Sequence, residues 1–125
     1  MKTVIATKDA PAAVGPYSQA IATGDLLFCA GQIPLVPATG ELVGNDITEQ
    51  TRQVCENIKA VLAANGMTFA NVVKSTVFLP DLADFAAMNE VYKQYFTEPY
   101  PARSTIGISA LPRACRVEIE VIAAR

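Results

Sequence analysis

The chain is 125 residues long, 51% apolar and 18% charged, with a formal net charge of -2; that is one domain with enough apolar material for a core, which excludes intrinsic disorder. It contains no histidine, so a Ser-His-Asp triad, a Cys-His pair and a His-ligated zinc are all excluded. The three cysteines (Cys29, Cys55 and Cys115) are odd in number and widely spaced, with no CxxC pair, which argues against a disulfide scaffold or a metal clip and fits a reducing compartment.

In chain order, Thr3 to Ala6 is a short strand candidate, followed by an irregular stretch through Pro11, Gly15 and Pro16. Leu26-Leu27-Phe28-Cys29-Ala30 reads as a buried strand ending at Gly31, and Pro34 to Asn45 reads as loop. Asp46, with Glu49 three residues on, is an N-terminal capping signature. Ile47, Val54, Ile58, Val61 and Leu62 then recur at helical spacing, and Asn65-Gly66 supplies a left-handed stop. Val72 to Leu79 is a strand rich in β-branched residues, closed by Pro80. A second helix opens near Asp81 or Asp84, carries an apolar stripe of Phe85, Met88, Tyr92, Tyr95 and Phe96, and stops before Pro99 and Pro101. Two further strands, Arg103 to Ser109 and Cys115 to Ala123, are joined by a turn at Pro112.

The order β-β-α-β-α-β-β predicts a single α+β domain over 1–125, one mixed sheet with both helices on one face. The other face then needs a partner. Alanine accounts for 20 residues, so the core is built of small side chains, and a second copy of the chain is the simplest partner. A sequence pI near 5 with no basic run argues against nucleic acid as a partner. The longest apolar runs, Leu26 to Ala30 and Ala60 to Ala64, fall far short of a membrane span, and the N-terminus has no signal-like stretch. A soluble, cytoplasmic protein is expected.

Alternation puts Arg103, Thr105, Gly107 and Ser109 on one strand face and Ser104, Ile106, Ile108 and Ala110 on the other, with the isoleucine face expected in the core. The opposite face presents one guanidinium followed by small or polar residues, which leaves space for a carboxylate gripped at two points. An exposed face with Arg103 paired to an acid such as Glu98 fits the same residues. On the last strand Glu118 and Glu120 share a face, about 7 Å apart along it. They serve equally as the wet side of an amphipathic strand or as the proton-transfer group that histidine cannot supply. A glycosidase pair is disfavoured because no aromatic sugar platform accompanies them and tryptophan is absent. Tyr17 follows a Gly-Pro turn, Gly31-Gln32 ends a strand, and Asn89 borders the stripe of the second helix; each is uninformative alone.

Taken together, Gly15-Pro16-Tyr17-Ser18-Gln19, Ala30-Gly31-Gln32-Ile33-Pro34, Pro101-Ala102-Arg103-Ser104-Thr105 and Val117-Glu118-Ile119 resemble the RidA/YjgF family of enamine/imine deaminases, from Thr7 to the C-terminus. The resemblance implies a chorismate-mutase-like subunit in a homotrimer with ligand clefts between subunits. It implies hydrolysis of reactive 2-imino acids and enamines, such as 2-aminoacrylate and 2-iminobutyrate, to 2-oxo acids and ammonia, without cofactor or metal. By position, Arg103 clamps the substrate carboxylate and Glu118, rather than Glu120, holds and activates water. Tyr17 lines the cleft from the adjacent subunit, with Gly31 and Asn89 nearby. Thr105 stands where many deaminating members have Cys; it still offers a hydroxyl for substrate contact, and no thiolate can be required there. A non-catalytic trimer that binds small 2-oxo carboxylates uses the same clamp. A ribonuclease or translation inhibitor, reported for some relatives, fits the acidic, histidine-free composition poorly.

Overall fold

A computed structural model describes residues 1–125. Six strands form one sheet: β1 (Thr3–Ile5), β2 (Ala20–Thr23), β3 (Leu26–Gln32), β4 (Val72–Leu79), β5 (Ala102–Gly107) and β6 (Glu118–Ala124), in the spatial order β1-β2-β3-β6-β4-β5. Only β4 and β5 run parallel; every other pair is antiparallel. Helices α1 (Ile47–Ala64) and α2 (Phe85–Tyr95) pack against each other and cover one face of this mixed sheet. The α+β architecture is therefore the one expected, with one strand more than the sequence indicated.

Local chemistry explains most element ends. The Asp46 side chain accepts from the Glu49 backbone N–H at 3.0 Å and caps α1. At the other end Gly66, with φ +68, returns its N–H to Ala63, while Met67 bonds back to Leu62. Asp81 caps a 3-10 turn over Leu82–Asp84 that leads directly into α2. Val54, Ile58, Val61 and Leu62 of α1, with Met88 and Phe96 from the second helical segment, close over Leu27, Val77, Ile119 and Val121 of the sheet. This burial supplies most of the driving force for the fold.

Three expectations need correction. The strand β2 was not anticipated; it pairs with β3 across the two-residue turn Gly24-Asp25. The run from Leu26 is not buried on both sides: Leu27 is fully buried, whereas Phe28 is 43% exposed on the uncovered face. Most important, the isoleucine face of β5 is not the core face. Ser75, in register with Arg103, points to the helices, so Arg103 and Thr105 lie on the helix side and Ile106, 43% exposed, lies on the open side. The strands themselves are also displaced by one to three residues, β5 ending at Gly107 and β6 beginning at Glu118.

Just before β6, Arg116 binds both carboxylate oxygens of the buried Asp84, at 2.8 and 3.1 Å. Its backbone N–H also donates to Gln50 of α1. This two-point pair locks the start of α2 to the start of β6.

Candidate functional site

Apart from Thr105, the expected site residues fall into two groups, each beside its own hollow, and the hollows share no lining residue. The first hollow, about 520 Å³, lies between α2 and β5 and is lined by Asn89, Tyr92, Tyr100, Pro101 and Arg103 among others. The edge strand β5 brings Arg103 there on the helix side of the sheet. Its Nη1 donates to Asn89 Oδ1 at 2.7 Å. The guanidinium carbon stands 4.7 Å from the Tyr92 ring centroid and 5.5 Å from that of Phe85.

No carboxylate pairs with Arg103. The salt bridges of the chain are Lys93–Glu90 and Arg116–Asp84, so the alternative of a pair with Glu98 is not realised. A neutral amide and aromatic faces hold the guanidinium without cancelling its charge. Asn89 is thus an Arg103 partner, whereas Thr105 lies further along the same strand face, in register with Val77, and lines neither hollow.

The second hollow, about 430 Å³, gathers Tyr17, Gly31, Gln32 and Glu118, with Pro112 and Arg113 at one side. The irregular segment that carries Tyr17 is fixed by the buried Gln19, whose amide donates to the carbonyls of Thr7 and Pro11 while its oxygen accepts from the Thr7 N–H at 2.7 Å. The β3–β6 register shifts between Cys29 and Gln32, which places Gly31 beneath the Glu118 side chain. Glu118 and Glu120 do share a face, as alternation requires, and it is the uncovered one. Burial, with a smaller push from Glu120, raises the Glu118 carboxyl above its ordinary value of 4.5. It can therefore exchange protons closer to neutrality than a free glutamate.

One copy of the chain thus holds Arg103 and Glu118 on opposite faces of the same sheet. Tyr17 and Gly31 accompany Glu118, and Asn89 accompanies Arg103. The three cysteines belong to neither group: all are buried, and burial pushes Cys29 and Cys55 up to about 12. Sequence reasoning missed Tyr92, assigned only to an apolar stripe, and Arg113, which stands at the Glu118 hollow. The spacing of Tyr92 three residues after Asn89, on one helix face, was the available signal.

Comparison with known proteins adds a third line of observation. The family pattern described as Endoribonuclease L-PSP matches residues 7–125. A RutC family protein of Pyrococcus horikoshii is 57% identical over 98% of both chains. The 2-iminobutanoate/2-iminopropanoate deaminase of Capra hircus is 47% identical over 98% of this chain and 90% of its own. The crystal structure of Escherichia coli TdcF with bound serine superposes with a TM-score of 0.93 at 44% identity, covering 98% of each chain.

Proposed function

The chain belongs to the RidA/YjgF family, and from that premise we propose that it hydrolyses reactive 2-imino acids and their enamine tautomers to 2-oxo acids and ammonia. Deamination of 2-iminobutanoate and 2-iminopropanoate is the activity in the name of the goat relative, and the serine bound to TdcF carries the same α-carboxylate and α-nitrogen. The observation that carries the proposal is the half-buried Arg103 guanidinium, oriented by Asn89 and Tyr92 and neutralised by no acid. Such a group is suited to a small carboxylate.

The chemistry asks little of the protein. A protonated imine is already electrophilic at C2, so only a few kcal/mol need leave the barrier, each ~1.4 kcal/mol being tenfold in rate. Arg103 fixes the substrate carboxylate. Glu118 holds a water against C2 and takes its proton as the C–O bond forms. It then returns that proton to the nitrogen of the carbinolamine; as the C–N bond breaks, the hydroxyl proton passes to Glu118 and on to the departing ammonia, so that the 2-oxo acid and ammonium leave and the carboxylate is restored. Water is the only co-reactant. No step calls for a metal or cofactor.

Because Arg103 and Glu118 sit on opposite sides of the sheet, they meet over one substrate only when two copies adjoin. A homotrimer with the clefts between neighbours, closing head to tail, satisfies this. The uncovered sheet face, with Phe28 and Ile106 exposed, offers apolar surface for such contacts. No helix is long and apolar enough to cross a membrane. The ribonuclease in the family description is disfavoured by the net charge of -2 and the absence of histidine.

The test couples the purified protein to a threonine dehydratase and traps residual imine with semicarbazide. Trapped product is expected to fall with wild type and not with Arg103→Ala. If wild type accelerates nothing yet binds 2-oxobutyrate, a non-catalytic 2-oxo-acid-binding protein replaces the enzyme. Light scattering is expected near three times the chain mass.

A further inference from the structure

We infer that Tyr92 and Ser75 are positioning residues for the Arg103 guanidinium, an inference that rests on Arg103 serving as the carboxylate clamp. A free arginine side chain spends its time among many rotamers, and a two-point grip needs its plane fixed beforehand. The usual device, a carboxylate partner, is missing and would compete with the ligand. Here the plane is set by an aromatic ring instead, which attracts the cation while leaving its charge and its remaining N–H donors for the ligand.

The ring is itself held at both ends. Tyr92 stacks on Phe96 at 4.0 Å with an interplanar angle of 16°, and its hydroxyl shares a 2.7 Å hydrogen bond with Ser75 Oγ. Ser75 is fully buried in a strand otherwise filled with apolar side chains on that face. A buried hydroxyl is costly unless bonded, and Tyr92 is its partner. Ser75 is also the β4 residue in register with Arg103. One residue therefore sets the backbone position of the arginine and, through Tyr92, the seat of its guanidinium. A Val-and-Phe pair would fill the same volume without a polar group; the hydroxyl pair fixes the tilt of the ring.

The experiment reads the 15N order parameter of the Arg103 Nε–H bond, together with KM and kcat, in wild type, Tyr92→Leu, Tyr92→Phe, Ser75→Ala and the double variant Ser75→Ala/Tyr92→Phe. The wild-type order parameter is expected near ~0.8, falling below ~0.6 in Tyr92→Leu. In the same variant KM for the imino acid rises about tenfold with kcat within about threefold, as lost cation–π support predicts. Tyr92→Phe and Ser75→Ala give smaller, similar rises in KM, and the double variant is no worse than either, because all three remove one hydrogen bond. A Tyr92→Leu protein with Arg103 still rigid and KM within twofold overturns the inference. If Tyr92→Leu does not fold, additive effects of Ser75→Ala and Tyr92→Phe overturn it. If Arg103→Ala matches wild type in KM and kcat, the clamp itself is wrong and the inference falls with it; rigidity lost without a change in KM separates the two failures, since Tyr92 then orients a guanidinium the substrate does not use.

Discussion

The Glu118 side chain lies directly over Gly31, so that a β-carbon on Gly31 would stand 2.8 Å from the Glu118 carboxyl carbon and overlap one of its oxygens. What would be displaced is the end of a flexible side chain rather than backbone. Gly31→Ala is therefore expected to fold normally, with Tm within a few degrees of wild type, and to lose turnover on the order of a hundredfold through misplacement of the carboxylate. Differential scanning calorimetry and the semicarbazide assay check the two halves. A variant with full turnover removes Glu118 from the role of holding water.

Charge alone is not expected to reproduce the proposed Arg103 clamp. Arg103→Lys keeps the cation but loses the planar fork, and calorimetry with 2-oxobutyrate is expected to show about tenfold weaker binding. Arg103→Ala is expected to weaken it about a hundredfold, the scale of hydrogen bonds to a charged group. Equal affinities for Lys and Arg would mean that the site reads charge without geometry.

Complementation tests the division of the site between copies. Arg103→Ala and Glu118→Gln chains are each expected to be nearly inactive. Denatured together in equal amounts and refolded, they should recover about a quarter of wild-type activity, because one random cleft in four draws its arginine and its glutamate from intact donors. Should both side chains come from the same copy, mixing restores nothing.

The pH dependence follows from the raised Glu118 carboxyl. Between the ordinary value of 4.5 and the raised one, the folded chain holds a proton that the unfolded chain has released. Stability accordingly declines as pH rises through that window. Glu118→Gln is expected to match wild type in Tm at low pH and to exceed it near neutrality. The wild-type turnover moves the other way, rising as the carboxyl ionises, so acid costs activity while it relieves strain on the fold. A Tm advantage for Glu118→Gln that is largest in acid would contradict the sign.

The thiols are expected to be silent. Burial holds Cys29 and Cys55 at about 12 and raises Cys115, so the thiolate fraction near neutrality is negligible. Ellman titration should find no fast thiol in the native protein and three after denaturation.

Locally encoded features were legible in the residues themselves. The Asp46 cap, the Asn65-Gly66 stop and the limits of β4 each depend on chemistry within a few positions. The strand β2 escaped because Ala-Ile-Ala-Thr is short and weakly patterned, although Gly24-Asp25 is a recognisable hairpin turn. Alternation correctly separated Arg103 from Ile106, yet parity cannot say which side of a strand the helices will cover. Apolar residues on an uncovered sheet face look, in sequence, like core. For the same reason Glu118 was recognisable as a candidate while its separation from Arg103 was not; that depends on the register of both strands against β4, with Arg103 beside Ser75 and Glu118 beside Phe78.

The placement of the two hollows on different surfaces also bears on when the proposed activity begins. On the proposed mechanism a newly synthesised chain would carry each half of the chemistry and complete neither, which makes competence a property of concentration. Specific activity should be low in very dilute solution, climb as rings close, and level off once no chain remains unassembled.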